Sequence, residues 1–146
     1  MSKDSKEKYR YLLIQGDCLE VMKSIKNESI DLIVTDPPYG IKYINPNREV
    51  KFEKMSSDSE LSWFEPVIKN LKRVLKKDGH IYLFTAKKRL SYTLPIFEKY
   101  FRQENLIVCR MKHASGIFNP YSFRYSYEII IFGQKGRKKL CNVRRH

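Results

Sequence analysis

No two of the six glycines in this 146-residue chain are separated by a single residue, so it has no Gly-x-Gly turn. Such turns let a backbone approach a ligand closely at a helix N-terminus, and these residues lack that device. No apolar run reaches the roughly eighteen residues of a membrane span, and the start Met1-Ser2-Lys3-Asp4-Ser5-Lys6-Glu7-Lys8 has no apolar signal region. Neither export nor membrane insertion is therefore expected, and a cytoplasmic protein is the default. Cysteine is scarce: Cys18, Cys109 and Cys141 are odd in number and without metal-ligand spacing, so reduced, mostly buried thiols are expected. His80, His113 and His146 are equally scattered, and no metal is assigned. Acidic residues are few, 16 against 29 Lys and Arg, giving a net charge of +13 and a pI near 9.7. That surplus favours a polyanionic partner through phosphate contacts and counterion release, and nucleic acid fits. For any single cluster, such as Lys69, Lys72, Arg73, Lys76 and Lys77, or Lys87-Lys88-Arg89, or Arg137-Lys138-Lys139, a solvated face is at least as good a reading as DNA contact.

What is present is concentrated in Asp36-Pro37-Pro38-Tyr39, directly after the apolar and β-branched run Leu32-Ile33-Val34-Thr35. The run reads as a central parallel strand, and in open α/β sheets ligands bind beyond the carboxyl ends of strands. Each proline fixes its own φ and pushes the residue before it into an extended conformation, so the turn is stiff. It can present the Asp36 carboxylate and the Pro37 carbonyl as two acceptors at fixed spacing, with the Tyr39 ring as a stacking surface. Two acceptors beside a ring suit the exocyclic amine of adenine or cytosine. That amine is a poor nucleophile because its lone pair is delocalised, and accepting both its hydrogens localises the pair and stabilises the charge that develops on attack at a methyl donor. Within a duplex the amine is out of reach, so the base must be swung out and held by a ring such as Tyr39.

These four residues resemble motif IV of the amino-group DNA methyltransferases, which methylate adenine N6 or cytosine N4 with S-adenosylmethionine. A chance match to four set residues in a chain this long is roughly one in a thousand, against which an ordinary proline turn after a strand is the alternative. The following Gly40-Ile41-Lys42-Tyr43 also resembles the family, and an Asp rather than a Ser opening the motif leans toward adenine N6. Gly16-Asp17 resembles motif III, residues 79–84 resemble the strand after motif V, and Ser126-Tyr127-Glu128-Ile129-Ile130-Ile131-Phe132 resembles motif VIII.

The resemblance implies an α/β, Rossmann-like S-adenosylmethionine-dependent methyltransferase fold, incomplete because the strands bearing the Gly-rich cofactor motif are absent. It implies a basic tail over residues 1–10, a partial N-4/N-6 catalytic domain over 11–139, and a C-terminal tail over 140–146. It also implies roles. Asp36, Pro37, Pro38 and Tyr39 are catalytic; Asp17, Cys18 and Asp36 face the cofactor; Tyr39, Gly40, Asn119, Tyr121, Phe123 and Arg124 meet the target base. Asp17 has an alternative reading as a helix cap, and the loop before motif VIII as a solvated loop. DNA is the implied substrate, and a complementing chain carrying the Gly-rich motif an implied partner. A C-terminally truncated family member is expected, as an inactive remnant or half of a split enzyme; a basic nucleic-acid-binding protein without chemistry is the reading from a different class.

Local pattern predicts strands over 12–17, 31–35, 80–85, 106–111 and 127–132 and helices over 18–25, 60–76 and 90–100. Trp63 is expected to pack rather than to serve the site. Residues 40–60 form a polar connection long enough to be a functional loop closing over DNA. The alternation implies a parallel sheet whose last two strands pair antiparallel, with unpaired apolar edges beside the absent strands.

Overall fold

The computed structural model describes residues 11–38, 61–115, 120, 121 and 123–140. In chain order its elements are α1 (Cys18–Lys23), β1 (Ile30–Thr35), α2 (Phe64–Val74), β2 (Leu75–Thr85), a 3-10 turn (Lys87–Arg89), α3 (Leu90–Tyr100), β3 (Arg102–Ser115) and β4 (Tyr125–Gln134). The strands form one sheet in the order β1-β2-β4-β3. β1 and β2 are parallel, with Ile33 opposite Ile81 and Thr35 opposite Leu83. β4 runs antiparallel to both its neighbours, so β1, β2 and β3 all point their carboxyl ends at one rim. The antiparallel pairing of the last two strands is as expected from the sequence; the insertion of β4 between β2 and β3 is an addition.

Side chains alternate across a strand, and in β2 the alternation is plain, Ile81, Leu83 and Thr85 being buried between partly exposed neighbours, whereas β4 buries both sets from Ile131 to Gln134. Phe64, Val67, Ile68 and Val74 recur at helical spacing on α2, and Phe64, Ile68 and Val74, with Ile96 and Phe97 of α3, pack onto Ile33, Ile81, Leu83 and Ile131. Each such buried side chain contributes roughly 1.5–3 kcal/mol, so this layer carries most of the fold. Pro66 stands in the first turn of α2, where its missing N–H has no intrahelical acceptor to lose. Gly133 is required on the covered face: a Cβ there would lie 2.6 Å from Cε1 and Cζ of Phe97.

Boundaries differ from expectation: α1 stops at Lys23 rather than at 25, α2 begins at Phe64 rather than at 60, and β3 and β4 outrun 106–111 and 127–132. α2 ends at Val74 rather than at residue 76, because Leu75 is fully buried in an extended conformation and pairs with Ile30. β2 therefore starts five residues earlier than position 80, and Gly79 sits where its register with β1 shifts; a Cβ there would lie 2.5 Å from Leu75 Cδ1. Residues 12–17, expected as a strand, are in none, and Leu12 and Leu13 are 81% and 87% exposed. A strand needs a neighbour for its backbone groups, and among the described residues β1 pairs only with β2 and nothing pairs with this segment. The expectation of buried thiols is also corrected: Cys18 and Cys109 are exposed, the latter because β3 is an edge strand. No helix among the described residues is long and apolar enough to cross a membrane.

Candidate active site

β1 delivers the Asp36-Pro37-Pro38 turn to the carboxyl rim of the sheet. Asp36 is exposed there, with both prolines partly buried behind it, which is the placement the strand-then-turn pattern predicts. Beside it, Thr85 ends β2 and stands opposite Ile129 of β4. A cavity of about 80 Å³ opens at this junction, lined by Thr85, Lys87, Tyr125, Tyr127 and Glu128 among others. Lys87 Nζ lies 4.0 Å from the centre of the Tyr125 ring, holding one wall of the cavity by a cation–π contact. Thr85 itself is fixed from behind, its hydroxyl 3.0 Å from that of Thr93 on α3, both buried.

Phe123 and Arg124 enter β4 at the same rim and both are exposed, Phe123 at 96%. Tyr121 is exposed as well. Tyr39, Gly40 and Asn119 lie outside the described residues, as does the connection over 40–60.

Asp17 is the N-cap of α1: its Oδ1 accepts from the backbone N–H of Leu19 at 2.8 Å and of Glu20 at 3.4 Å. This is the capping role weighed for it in the sequence. The cap engages Oδ1, so Oδ2 can still accept from a ligand's donor, with the exposed Cys18 thiol adjacent. The placement of α1 depends on Arg73, which the sequence reading had set among solvated cations. Its guanidinium donates to Met22 O at 2.6 Å, Ile25 O at 2.8 Å and Asn27 Oδ1 at 2.6 Å. The carbonyl end of α1 is thereby clamped to the end of α2 that leads into β2, and Asp17 stands at the end away from that clamp. Nothing in the local sequence separates Arg73 from its neighbouring cations, since its acceptors are about fifty positions away along the chain.

A larger groove of about 810 Å³ runs beside Glu65, Lys69, Arg73 and Tyr100, along α2 rather than at the rim. There Lys99 and the Tyr100 hydroxyl both donate to Glu65, at 3.1 Å each. The Lys99 bond first, then that of Tyr100, holds the Glu65 carboxyl below its ordinary range, and burial first, then the same carboxylate, pushes the Tyr100 phenol up. This network ties α2 to α3 and presents no reacting group to the Asp36 turn. Among the described residues no group of three or more His, Cys, Asp and Glu is arranged to hold a metal ion.

A chemical fit to S-adenosylmethionine is partial. Asp17 and Asp36 carry carboxylate acceptors and Cys18 an exposed thiol, but these 146 residues hold no Gly-x-Gly turn to admit the donor's carboxylate end.

Residues 30–146 match the model of a family described as DNA methylase, of the N6/N4 type. Among curated proteins, the chain is 28% identical over 133 residues to the type II methyltransferase M.BamHI of Bacillus amyloliquefaciens, covering 91% of this chain and 31% of that protein. It is 32% identical over 126 residues to the DNA adenine methyltransferase YhdJ of Escherichia coli (strain K12), covering 86% of this chain and 42% of that one. Among solved structures, the cytosine-N4-specific PvuII DNA methyltransferase superposes with a TM-score of 0.58 at 18% identity, over 82% of this chain and 47% of that one. M1.HpyAVI, solved as a complex with S-adenosylmethionine, superposes with a TM-score of 0.55 at 16% identity, over 89% and 61%. These superpositions establish the likeness of fold. The chain spans less than half the length of either curated relative.

Proposed function

This chain belongs to the N6/N4 DNA methylase family, and from that premise we propose that it carries the base-activating half of a DNA methyltransferase that moves a methyl group from S-adenosylmethionine to the N6 of a flipped-out adenine. The observation that carries this reading is the stiff Asp36-Pro37-Pro38 turn at the carboxyl end of β1, next to the rim cavity between β2 and β4.

Asp36 and the Pro37 carbonyl accept the two amine hydrogens of the target base, Pro38 holds the turn rigid, Tyr39 stacks on the base, and Gly40 belongs to the same base-binding set. As the nitrogen attacks, the positive charge growing on it is stabilised by these preorganised acceptors, and the N-methylated cation then loses a proton without needing a strong base. Tyr121, Phe123 and Arg124 border the base from the β4 side, and Asn119 is assigned to the same base pocket. Asp17 and Cys18 face the donor. The donor, when bound, supplies an electrophilic methyl group on a sulfonium.

The absent Gly-x-Gly turn motivates the partner. A polypeptide segment with that turn completes the donor site, and without it the 146-residue chain binds S-adenosylmethionine weakly and transfers no methyl group. The Asp at the head of the motif favours adenine over cytosine N4. A basic nucleic-acid-binding protein without chemistry is the competing reading, motivated by the charge of +13.

Transfer of labelled methyl from donor to DNA by the chain supplemented with a Gly-rich segment of a family member tests the assignment. Asp36→Ala should lower the rate on the order of a hundredfold or more. Full activity in that variant rules out the acceptor role. Identifying the product as N6-methyladenine or N4-methylcytosine decides the target, and no product at all favours the binding protein.

A further inference from the structure

The two rims of the sheet differ in how many of their cations are paired. At the rim where β1, β2 and β3 begin, Lys76 pairs with Asp31 at 2.6 Å, Arg102 with Glu104 at 2.7 Å and Lys135 with Glu28 at 2.9 Å, while Lys138 and Lys139 pair with no carboxylate of the described residues. At the carboxyl rim, register places Lys87 and Lys88 after β2, Arg110 and Lys112 near the end of β3, and Arg124 just before β4. None of these five forms an ion pair with a carboxylate of the described residues; Lys87 instead lies over Tyr125. The acidic residues placed by the same register at this rim are Asp36 and Glu128. Unmatched like charges at one end of a sheet raise the free energy of the isolated chain, and a polyanion laid across them offsets that cost. Aromatic rings are interleaved with the cations: Tyr121 is 95% and Phe123 96% exposed, and Tyr125 lies edge-on to Tyr127 at 5.9 Å. Cations alternating with rings that have no place in a core suit a nucleic-acid strand, which offers phosphates and base faces together.

We infer that Lys87, Lys88, Arg110, Lys112 and Arg124 form a phosphate track along the carboxyl rim, which lays the nucleic-acid backbone past the Asp36 turn with Phe123 as a base-stacking platform. The inference rests on the proposed action on DNA and specifies which surface meets it. The track positions the strand and reads no sequence, because phosphate contacts are common to every base.

The cation clusters elsewhere make the test specific. Lys138 and Lys139 follow β4 at the opposite rim and are exposed and equally basic, so a chain that binds through diffuse charge uses them as much as the track. Binding of the full chain to a short DNA duplex is measured against salt for the wild type, for K88A/R110A/K112A/R124A and for K138A/K139A. Each lost phosphate contact lowers the slope of log affinity against log salt by about 0.9, so the track variant should lose about 3 to 4 and the control pair less than about 1. Phe123→Ala should weaken binding with the salt slope unchanged. Equal losses per residue removed in both variants, or an unchanged slope in the track variant, overturn the track while leaving DNA as the substrate. No binding by the wild type overturns both. As a measurement independent of any variant, acetylation of the wild type should show Lys88 and Lys112 protected by DNA and Lys138 and Lys139 unprotected; the reverse pattern contradicts the proposal.

Discussion

Ile33 and Val34 are neighbours in β1 and nearly equal in apolar character, yet Ile33 is 8% exposed and Val34 63%. The difference belongs to the faces of the sheet. On one, Ile33, Ile81, Leu83, Thr85 and Ile131 lie under α2 and α3. On the other, Leu32, Val34, Tyr82, Phe84, Ile130 and Phe132 share register across β1, β2 and β4; there Phe132 is buried against the His80 and Tyr82 rings, while the β1 positions stay open. Leu32 is open as well, at 53% exposed. Parallel strands in α/β proteins are covered on both faces, and β1 has the composition of such a strand. The covered face accounts for stability, and the open face offers apolar surface to whatever completes the fold.

Truncation on each face tests that division most strongly. Ile81→Ala empties a site in the centre of the covered layer and should cost about 2–5 kcal/mol, while Val34→Ala should cost no more than about 0.5 kcal/mol. Urea unfolding of both variants measures the contrast, and equal losses would break it. Gly133→Ala is the next largest: its Cβ meets the Phe97 ring at 2.6 Å and the Arg102 carbonyl at 2.9 Å, an overpacking worth about 1–3 kcal/mol. Arg73→Met comes third and separates the layer's interior from its fastenings. It strips the donors from Met22 O and Ile25 O, and an expected loss of about 1–3 kcal/mol should appear with faster amide exchange in α1 than in β2. The smallest effect is pH-dependent. The Glu65 carboxyl is held low by Lys99 and Tyr100, so its contribution is present above the ordinary carboxylate range and is lost as pH falls through its lowered value. The difference in melting temperature between wild type and Glu65→Gln should therefore be largest near neutral pH and shrink on acidification; a difference that grows in acid would contradict the assigned sign.

Adding a Gly-rich complementing segment sharpens the same comparison. If that segment covers the open face, Val34→Ala and Leu32→Ala become costly in the assembled protein, whereas the cost of Ile81→Ala is unchanged. Costs that stay small in the assembly would place the partner elsewhere.

Much of this was legible before the structure. The place of Asp36-Pro37-Pro38 after β1 was readable because prolines act locally: their fixed φ and missing N–H end a strand whatever surrounds them. The apolar spacing of Phe64, Val67, Ile68 and Val74 was readable because a helix's period is set by its own backbone. Leu12-Leu13-Ile14 misled for the converse reason, since an apolar run becomes a strand only where an edge is available to it. The rim cavity was half visible: residues 126–132 stood out, but their position beside Thr85 follows from a pairing between segments far apart in the chain.

The sequence by itself determined the strand and helix periods, the place of the Asp36-Pro37-Pro38 segment after β1 and the positive surplus, because each depends on residue type and on spacing within a few positions. Only the tertiary structure decided that β4 lies between β2 and β3, that one face of β1 is covered and the other is not, and which cations are neutralised. Lys76 meets Asp31 across 45 positions and Lys135 meets Glu28 across 107. The physical reason is that charge and apolarity are properties of single residues, whereas burial and ion pairing are properties of neighbours, and the folded sheet brings those neighbours together from distant parts of the chain.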